Sequence, residues 1–234
     1  MRIEGRVSNF GDGLGLSTRG MLTPLHVLNI HTDNISNFGI PGYQRKDPLV
    51  TSFVDQLGPN GVDVATSKEI GRLRLSGNPM DLALASEGYF QRLKANGEIE
   101  LTRDGRMKLD KEGHITSVDG QKILGADGAP LRLKKVPYNL DKELKISEEG
   151  EISTYDPKTA LHTKVGKIAI VASDGSVAKK VDIKQGYVED SNVSLAKEFV
   201  SVLPLRRQFE ANRQLFILQS DNLSRMIQEL GRAQ

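Results

Sequence analysis

The side chains able to do chemistry in this chain are four histidines, thirty carboxylates and no cysteine. His26 and His31 are five positions apart, whereas two metal ligands on one helix face need four, and neither H-E-x-x-H nor G-x-S-x-G occurs. His114 and His162 stand alone, and no pair of carboxylates is marked out for acid–base work. Gly11, Gly13 and Gly15 in GDGLG have the glycine content of a phosphate loop, but no strand is expected before them and no G-K-[ST] follows. Residues 1–15 therefore read as an irregular, flexible tail. Repeated Asp-Gly pairs suggest calcium, yet no D-x-[DN]-x-[DN]-G loop is present, so they read as hairpin turns. Without cysteine there are no disulfides, thiolate metal sites or cysteine nucleophiles. The expectation is a protein that is not an enzyme and holds no cofactor or metal.

Composition narrows the partners. A net charge of +2 is too small to argue for nucleic acid or an anionic membrane surface, and 5% aromatics without tryptophan provide no stacking platform. No apolar run reaches the ~18 residues of a membrane helix, so no direct membrane insertion is expected. Met1 to Asn9 lacks the apolar core of a signal peptide, which fits a soluble chain without a cleaved secretion signal.

The elements that would organise the chain lie at its ends. From Val193 to Leu230, the residues Leu195, Phe199, Val202, Phe209, Phe216, Leu223, Ile227 and Leu230 fall on alternating steps of four and three, with Arg206, Arg213 and Ser220 as polar members of the row. That 3.5-residue period is the seam of a helix laid along another helix. Asp190, Ser191 and Asn192 could cap its start and Gly231 its end. Pro204 predicts a kink, or one segment ending near Leu203 and another starting there. Leu203, Leu205, Leu215, Ile217 and Leu218 lie off the seam, so a rod this long would bury several faces among neighbours.

A matching pattern runs from Leu16 to Phe38: Met21, Leu25, Leu28 and Ile35, with Thr32 as its polar member. Thr23-Pro24 suits a cap and first helical position, and Gly39 a stop. Asn34 and Asn37, one turn apart, are placed to fix helix register, and Gly42-Tyr43 begins an extended segment. Residues 44–79 read as a linker with turns at Pro48, Gly58-Pro59-Asn60-Gly61 and Ser76-Gly77-Asn78-Pro79, and one or two short strands between Gly61 and Ser76.

From Met80 to Gly186 the pattern is β. Asn96-Gly97, Asp104-Gly105, Glu112-Gly113, Asp119-Gly120 and Asp127-Gly128 punctuate short alternating pieces such as Ile99/Leu101, Met107/Leu109, Ile115, Ile123, Leu131/Leu133 and Val177/Val181/Ile183. The predicted layout is an N-terminal tail and axial helix (1–43), a linker (44–79), a β domain (80–186) and a C-terminal axial helix (187–234). The fold class is mainly β, an antiparallel sandwich or barrel-like domain, flanked by terminal helices that pair in a coiled-coil-like manner.

Several ordered segments resemble one family. Asp33-Asn34-Ile35-Ser36-Asn37 through Pro41-Gly42-Tyr43 resembles the A-N-N-[IL]-A-N-x-x-T-x-G-[YF] signature of flagellar basal-body rod and hook proteins, with Asp33, Ser36 and Ile40 as departures. Gly20-Met21 is similar to the family's S-G-M, and Ser76 to Ala83 to its T-G-N-P-L-D-[VL]-A. Glu87 to Phe90 stands where its G-x-G-[YF]-F lies, Leu101 to Gly105 resembles its Y-T-R-x-G, and Asp119-Gly120 to Leu124-Gly125 its D-G-x-x-[VI]-L-G. Gly186 to Val193 resembles G-x-[LV]-E-x-S-N-V, and Arg206 to Asn212 Q-R-x-[YF]-E-A-N. Pro24 and Pro204 depart from the family's unbroken helices.

The resemblance implies a structural subunit of the rod, of proximal or distal type, with the short linker favouring the proximal. Such subunits polymerise through their terminal helices and transmit torque across the periplasm. The implied partners are itself, other rod and hook axial proteins, and the flagellar export apparatus, which would pass it without signal cleavage. Asn34, Asn37, Arg206, Asn212 and Arg213 would then set register against neighbours. A secreted β-rich adhesin or binding module oligomerised by a coiled coil is the alternative architecture.

Overall fold

The structure, a computed structural model, describes residues 4–50, 62–133, 143–156 and 161–232. The turn expected at Gly58-Pro59-Asn60-Gly61 lies outside them. The chain divides into two units: one comprises 1–36, 46–67 and 194–234, the other 37–45 and 68–193.

The first unit holds two long helices, α1 (Glu4–Ser36) and α2 (Leu195–Arg232), and a hairpin of β1 (Lys46–Val50) and β2 (Val62–Thr66). Helix α1 overturns the flexible-tail reading, since the GDGLG stretch is helical. Its glycines have poor intrinsic propensity, but Gly13 lies against the Gln219 side chain, and packing outweighs propensity. Helix α2 runs through Pro204 as one element, with the proline on the exposed side. Its first turn follows Ser194, whose carbonyl accepts the Glu198 N–H at 3.0 Å. Asp190, Ser191 and Asn192 therefore lie ahead of the helix, and Gly231 is inside its last turn instead of beyond it.

The second unit carries the hydrophobic core and is built of short antiparallel strands: β3 (Leu73–Leu75), β4 (Leu82–Leu84), β5 (Tyr89–Leu93), β6 (Ile99–Thr102), β7 (Met107–Leu109), β8 (Ile115–Ser117), β9 (Lys122–Ile123), β10 (Leu144–Ile146), β11 (Glu151–Asp156), β12 (Leu161–Lys167), β13 (Ile170–Val171), β14 (Ile183–Gln185) and β15 (Tyr187–Glu189). Strand β5 is the junction of the largest sheet and bonds to β6, β9 and β13, while β7, β8 and β9 follow one another as a meander. Strands β10, β11 and β12 form a second sheet, and β4 pairs with β14 and β3 with β15. The described strands make several small antiparallel sheets and no closed barrel.

Expected turns form by a local mechanism, except at Asp104-Gly105, where β6 pairs with β5 and β7 with β8, so no hairpin joins the two. Asn96, Asp110, Asp127 and Asp174 each accept the N–H two residues on, at 2.9–3.2 Å, and the glycine between them takes positive φ wherever one follows directly. The core gathers Met80, Leu82, Leu84, Phe90, Met107, Ile115, Ile123, Ile152, Ile168 and Ile183. Ile99 and Val177, read as strand-face residues, are exposed instead.

Candidate assembly surface

Helices α1 and α2 are antiparallel. Ser17 Oγ donates to Gln219 Oε1 at 3.0 Å, Asn212 Nδ2 to the Gly20 carbonyl at 2.9 Å, and His31 Nδ1 meets Glu198 Oε2 at 2.6 Å. One row of sheltered α1 residues, Gly13, Ser17, Gly20, Pro24, Val27, His31 and Asn34, falls on alternating steps of four and three, with buried Ile30 beside it. The matching row of α2 is Leu195, Glu198, Val202, Leu205, Phe209, Asn212, Phe216, Gln219, Leu223 and Met226, with half-buried Ser201 and Ser220 beside it. The period matches the expected 3.5, but the whole α1 row lies one residue before Met21, Leu25, Leu28, Thr32 and Ile35, and in α2 alternate members lie one residue before Phe199, Arg206, Arg213, Ser220 and Ile227.

Small and polar side chains let the helices approach closely. A Cβ on Gly20 would sit 2.6 Å from Asn212 Oδ1. Pro24 has no N–H for the carbonyl four residues back, which is that of Gly20. Asn212 donates to that same carbonyl, so a break in one helix becomes an anchor for the other. Further along, Glu198 is fully buried, with His31 and the Asn34 amide on its Oε2. Asn34 also closes a two-bond loop with Lys46, donating to its carbonyl and accepting its N–H, at 2.8 and 2.9 Å.

Leu195, Val202, Phe209, Asn212, Phe216 and Leu223 are half-buried, as are Met21, Leu28 and Ile35. Leu25 is exposed. It shares a groove of ≈ 440 Å³ with Pro24, Leu28, Leu205 and Phe209, rimmed by Arg206, Glu210 and Arg213. Phe199, Ile227 and Leu230 face solvent, Phe199 and Ile227 at 57% and 62%. Leu203, at 60%, and Leu218, at 59%, extend this apolar surface away from the seam. Asn34 is internal, and Asn37 accepts the Ile40 N–H in the turn after α1. Sequence reasoning missed Ser17, His31, Glu198 and Gln219. The four-three spacing of small and polar residues was the signal for the α1 members.

In the second unit, Gly42 and Tyr43 join a buried junction. Glu189 Oε2 takes Arg103 Nε at 2.7 Å, while Oε1 accepts the Gly71 N–H at 2.9 Å and Gln44 Nε2 at 3.2 Å. The remaining Arg103 nitrogens donate to the carbonyls of Leu84, Ser86 and Gly88. Burial pushes the Glu189 carboxyl up from its ordinary value, against the pull of Arg103, the Gly71 N–H and Gln44. Among the described residues, the group with metal-ligand types is Asp110, Glu112 and His114 in the β7–β8 turn. Desolvation there raises the Asp110 carboxyl, but the N–H groups of His114 and Glu112 and the His114 ring together hold it below its ordinary value.

The built contacts of this molecule are fastenings between helices and between chain segments, the equipment of a structural protein. Residues 83–154 match the family described as flagellar hook protein FlgE/F/G D1 domain, and residues 184–229 match flagellar basal body rod FlgEFG protein C-terminal. The flagellar basal-body rod protein FlgF of Mesorhizobium japonicum is 28% identical over 224 residues, covering 87% of this chain and 91% of the relative. FlgF of Rhizobium meliloti is 24% identical, with the same shares covered. FlgG of Bacillus subtilis is 23% identical, covering 86% of this chain and 92% of the relative. The chain belongs to the flagellar basal-body rod protein family. It is a structural subunit and not an enzyme, and these similarities give no support to an adhesin.

Proposed function

We propose that this subunit assembles into the rod through the faces of α1 and α2 that their mutual seam leaves open. The observation that carries the reading is the exposed apolar surface of α2 at Phe199, Leu203, Leu218 and Ile227. A helix already docked on a partner through one seam has no solvation reason to keep these residues, and they lie on more than one side of α2, since nine helical positions turn Leu218 and Ile227 to opposite faces. Neighbouring copies and other rod or hook proteins cover it, with the terminal helices pairing in coiled-coil fashion and carrying torque across the periplasm. No described helix is long and apolar enough to cross a membrane. The chain reaches its place through the flagellar export apparatus without signal cleavage.

The test is a Phe199→Asp, Leu218→Asp double variant in a strain lacking the native protein. The expected result is a folded monomer by circular dichroism and sedimentation that no longer incorporates into basal bodies and leaves cells non-motile. Wild-type incorporation and motility would overturn the assembly role of this face.

A further inference from the structure

We propose that Glu189 and Asn192 are positioning residues that clamp, at one point, the segments by which the chain passes into and out of the β-rich unit. Because that unit consists of 37–45 and 68–193, the chain crosses its boundary four times. The segments next to those crossings converge on the short stretch from Glu189 to Asn192.

Segment 37–45 is held by four bonds. The Gly42 N–H donates to the Glu189 carbonyl at 2.7 Å, and Gln44 Nε2 to the Glu189 carboxylate at 3.2 Å. The Arg45 N–H donates to Asn192 Oδ1 at 2.6 Å, and the Asn192 N–H to the Tyr43 carbonyl at 3.3 Å. The stretch 69–72 is held by three. The Gly71 N–H reaches the Glu189 carboxylate at 2.9 Å, Asn192 Nδ2 the Glu69 carbonyl at 2.8 Å, and the Asp190 N–H the Arg72 carbonyl at 2.9 Å. The fourth crossing follows directly after Asn192 and Val193.

The chemistry suits a clamp. An ionised carboxylate only accepts, and Glu189 gathers N–H groups from Gln44, Gly71 and Arg103. A carboxamide both donates and accepts, and Asn192 uses its oxygen on one segment and its nitrogen on the other. Aspartate in its place would keep the first bond and repel the second. Two glycines make room: a Cβ on Gly42 would lie 2.3 Å from the Asp104 nitrogen, and one on Gly71 1.9 Å from the Asp190 carbonyl oxygen.

The role in assembly rests on the proposed function, since a polymer of helices carries its β units by these passages. The clamp itself is tested on the full-length monomer by amide hydrogen exchange. In Asn192→Ala, exchange at Arg45 is expected to rise at least tenfold and to draw Gly42 and Gly71 with it, while Ile115 and Ile123 keep their protection. If that variant does not fold, Gln44→Ala, which removes a single bond to Glu189, is expected to speed Gly42 and Gly71 several-fold together. Unchanged exchange at Gly42 and Gly71 in the folded variant would overturn the clamp, because the segments would then be held independently. In complemented cells Asn192→Ala is expected to lower basal-body incorporation at least tenfold, and wild-type incorporation would overturn the positioning role. The Phe199→Asp, Leu218→Asp variant is the control. It should block incorporation with clamp exchange unchanged, so failure of the assembly reading and failure of the clamp give different results.

Discussion

Asn212 and Pro24 show how a residue's meaning depends on what stands opposite. Asparagine near the middle of a long helix is an indifferent choice on propensity, and proline is a poor one. Here the carbonyl freed by Pro24 receives the Asn212 amide. Asn212→Ala is expected to cost about 1–3 kcal/mol, the cost of a sheltered acceptor left unmade. In a Pro24→Ala background the cost should shrink, because the helix recovers its own bond to Gly20. A double-mutant cycle by urea unfolding measures that coupling. Glu189 presents the opposite balance. Its burial costs free energy, so the ion pair contributes position more than stability, yet Glu189→Gln leaves Arg103 buried without its counter-charge. A loss of about 3–5 kcal/mol is expected from the unfolding midpoint. Asp110 gives a pH signature. Its depressed folded value means that its contribution is present above the unfolded pKa and lost as pH falls through the folded one. His114→Ala should return the Asp110 titration, followed by NMR, toward the ordinary aspartate value.

At the scale of elements, the two rows of α2 separate folding from assembly. Phe199→Asp, on the exposed side, is expected to change monomer stability by no more than about 0.5 kcal/mol while weakening self-association in sedimentation. Phe209→Asp places a charge in the half-buried row and should loosen the helix pair itself, seen as faster amide exchange across both helices. The period and extent of these helices were legible in the sequence, because a four-three repeat survives wherever polar members fill its gaps. The α1 row was read one residue late throughout because its apolar side chains were taken as markers, and in α2 alternate members were read one residue late, three of them at the polar Arg206, Arg213 and Ser220. The sheltered side of α1 is instead written largely in Gly13, Ser17, Gly20, His31 and Asn34, joined by Val27 and Ile30, while Leu16, Leu22 and Leu25 look outward. In the β unit the turns were legible because asparagine or aspartate before glycine encodes its own geometry. The Arg103–Glu189 pair was not, since 86 positions separate its members and nothing local announces either.

For the whole molecule, the sequence resemblance named several short segments, and the structure brings distant ones together. Gly42, Arg103 and Glu189 come from three of them and meet in the β-rich unit, while Gly20 and Asn212 come from two others and meet between the helices. The spacing that looked like helix surface and turn grammar thus also carries long-range instructions. The hydrophobic core lies wholly in the β-rich unit, whereas the helix pair relies on hydrogen bonds and a thin apolar row. In dilute monomer, amides at Ile115, Ile123 and Ile183 are expected to exchange far more slowly than those of α1 and α2, and incorporation into the rod should slow the helices to comparable rates.

The buried Glu198 has a consequence for misthreading. Sliding one helix past the other by a heptad keeps the periodicity intact, so greasy contacts alone would tolerate it. In one direction that slip, however, sets Glu198 opposite Pro24, which has no side-chain proton to give, and in the other it carries Glu198 past the end of α1 at Ser36. The carboxylate therefore works as a combination lock: only one of the near-equivalent alignments opens, and the helix pair is kept from settling into the others.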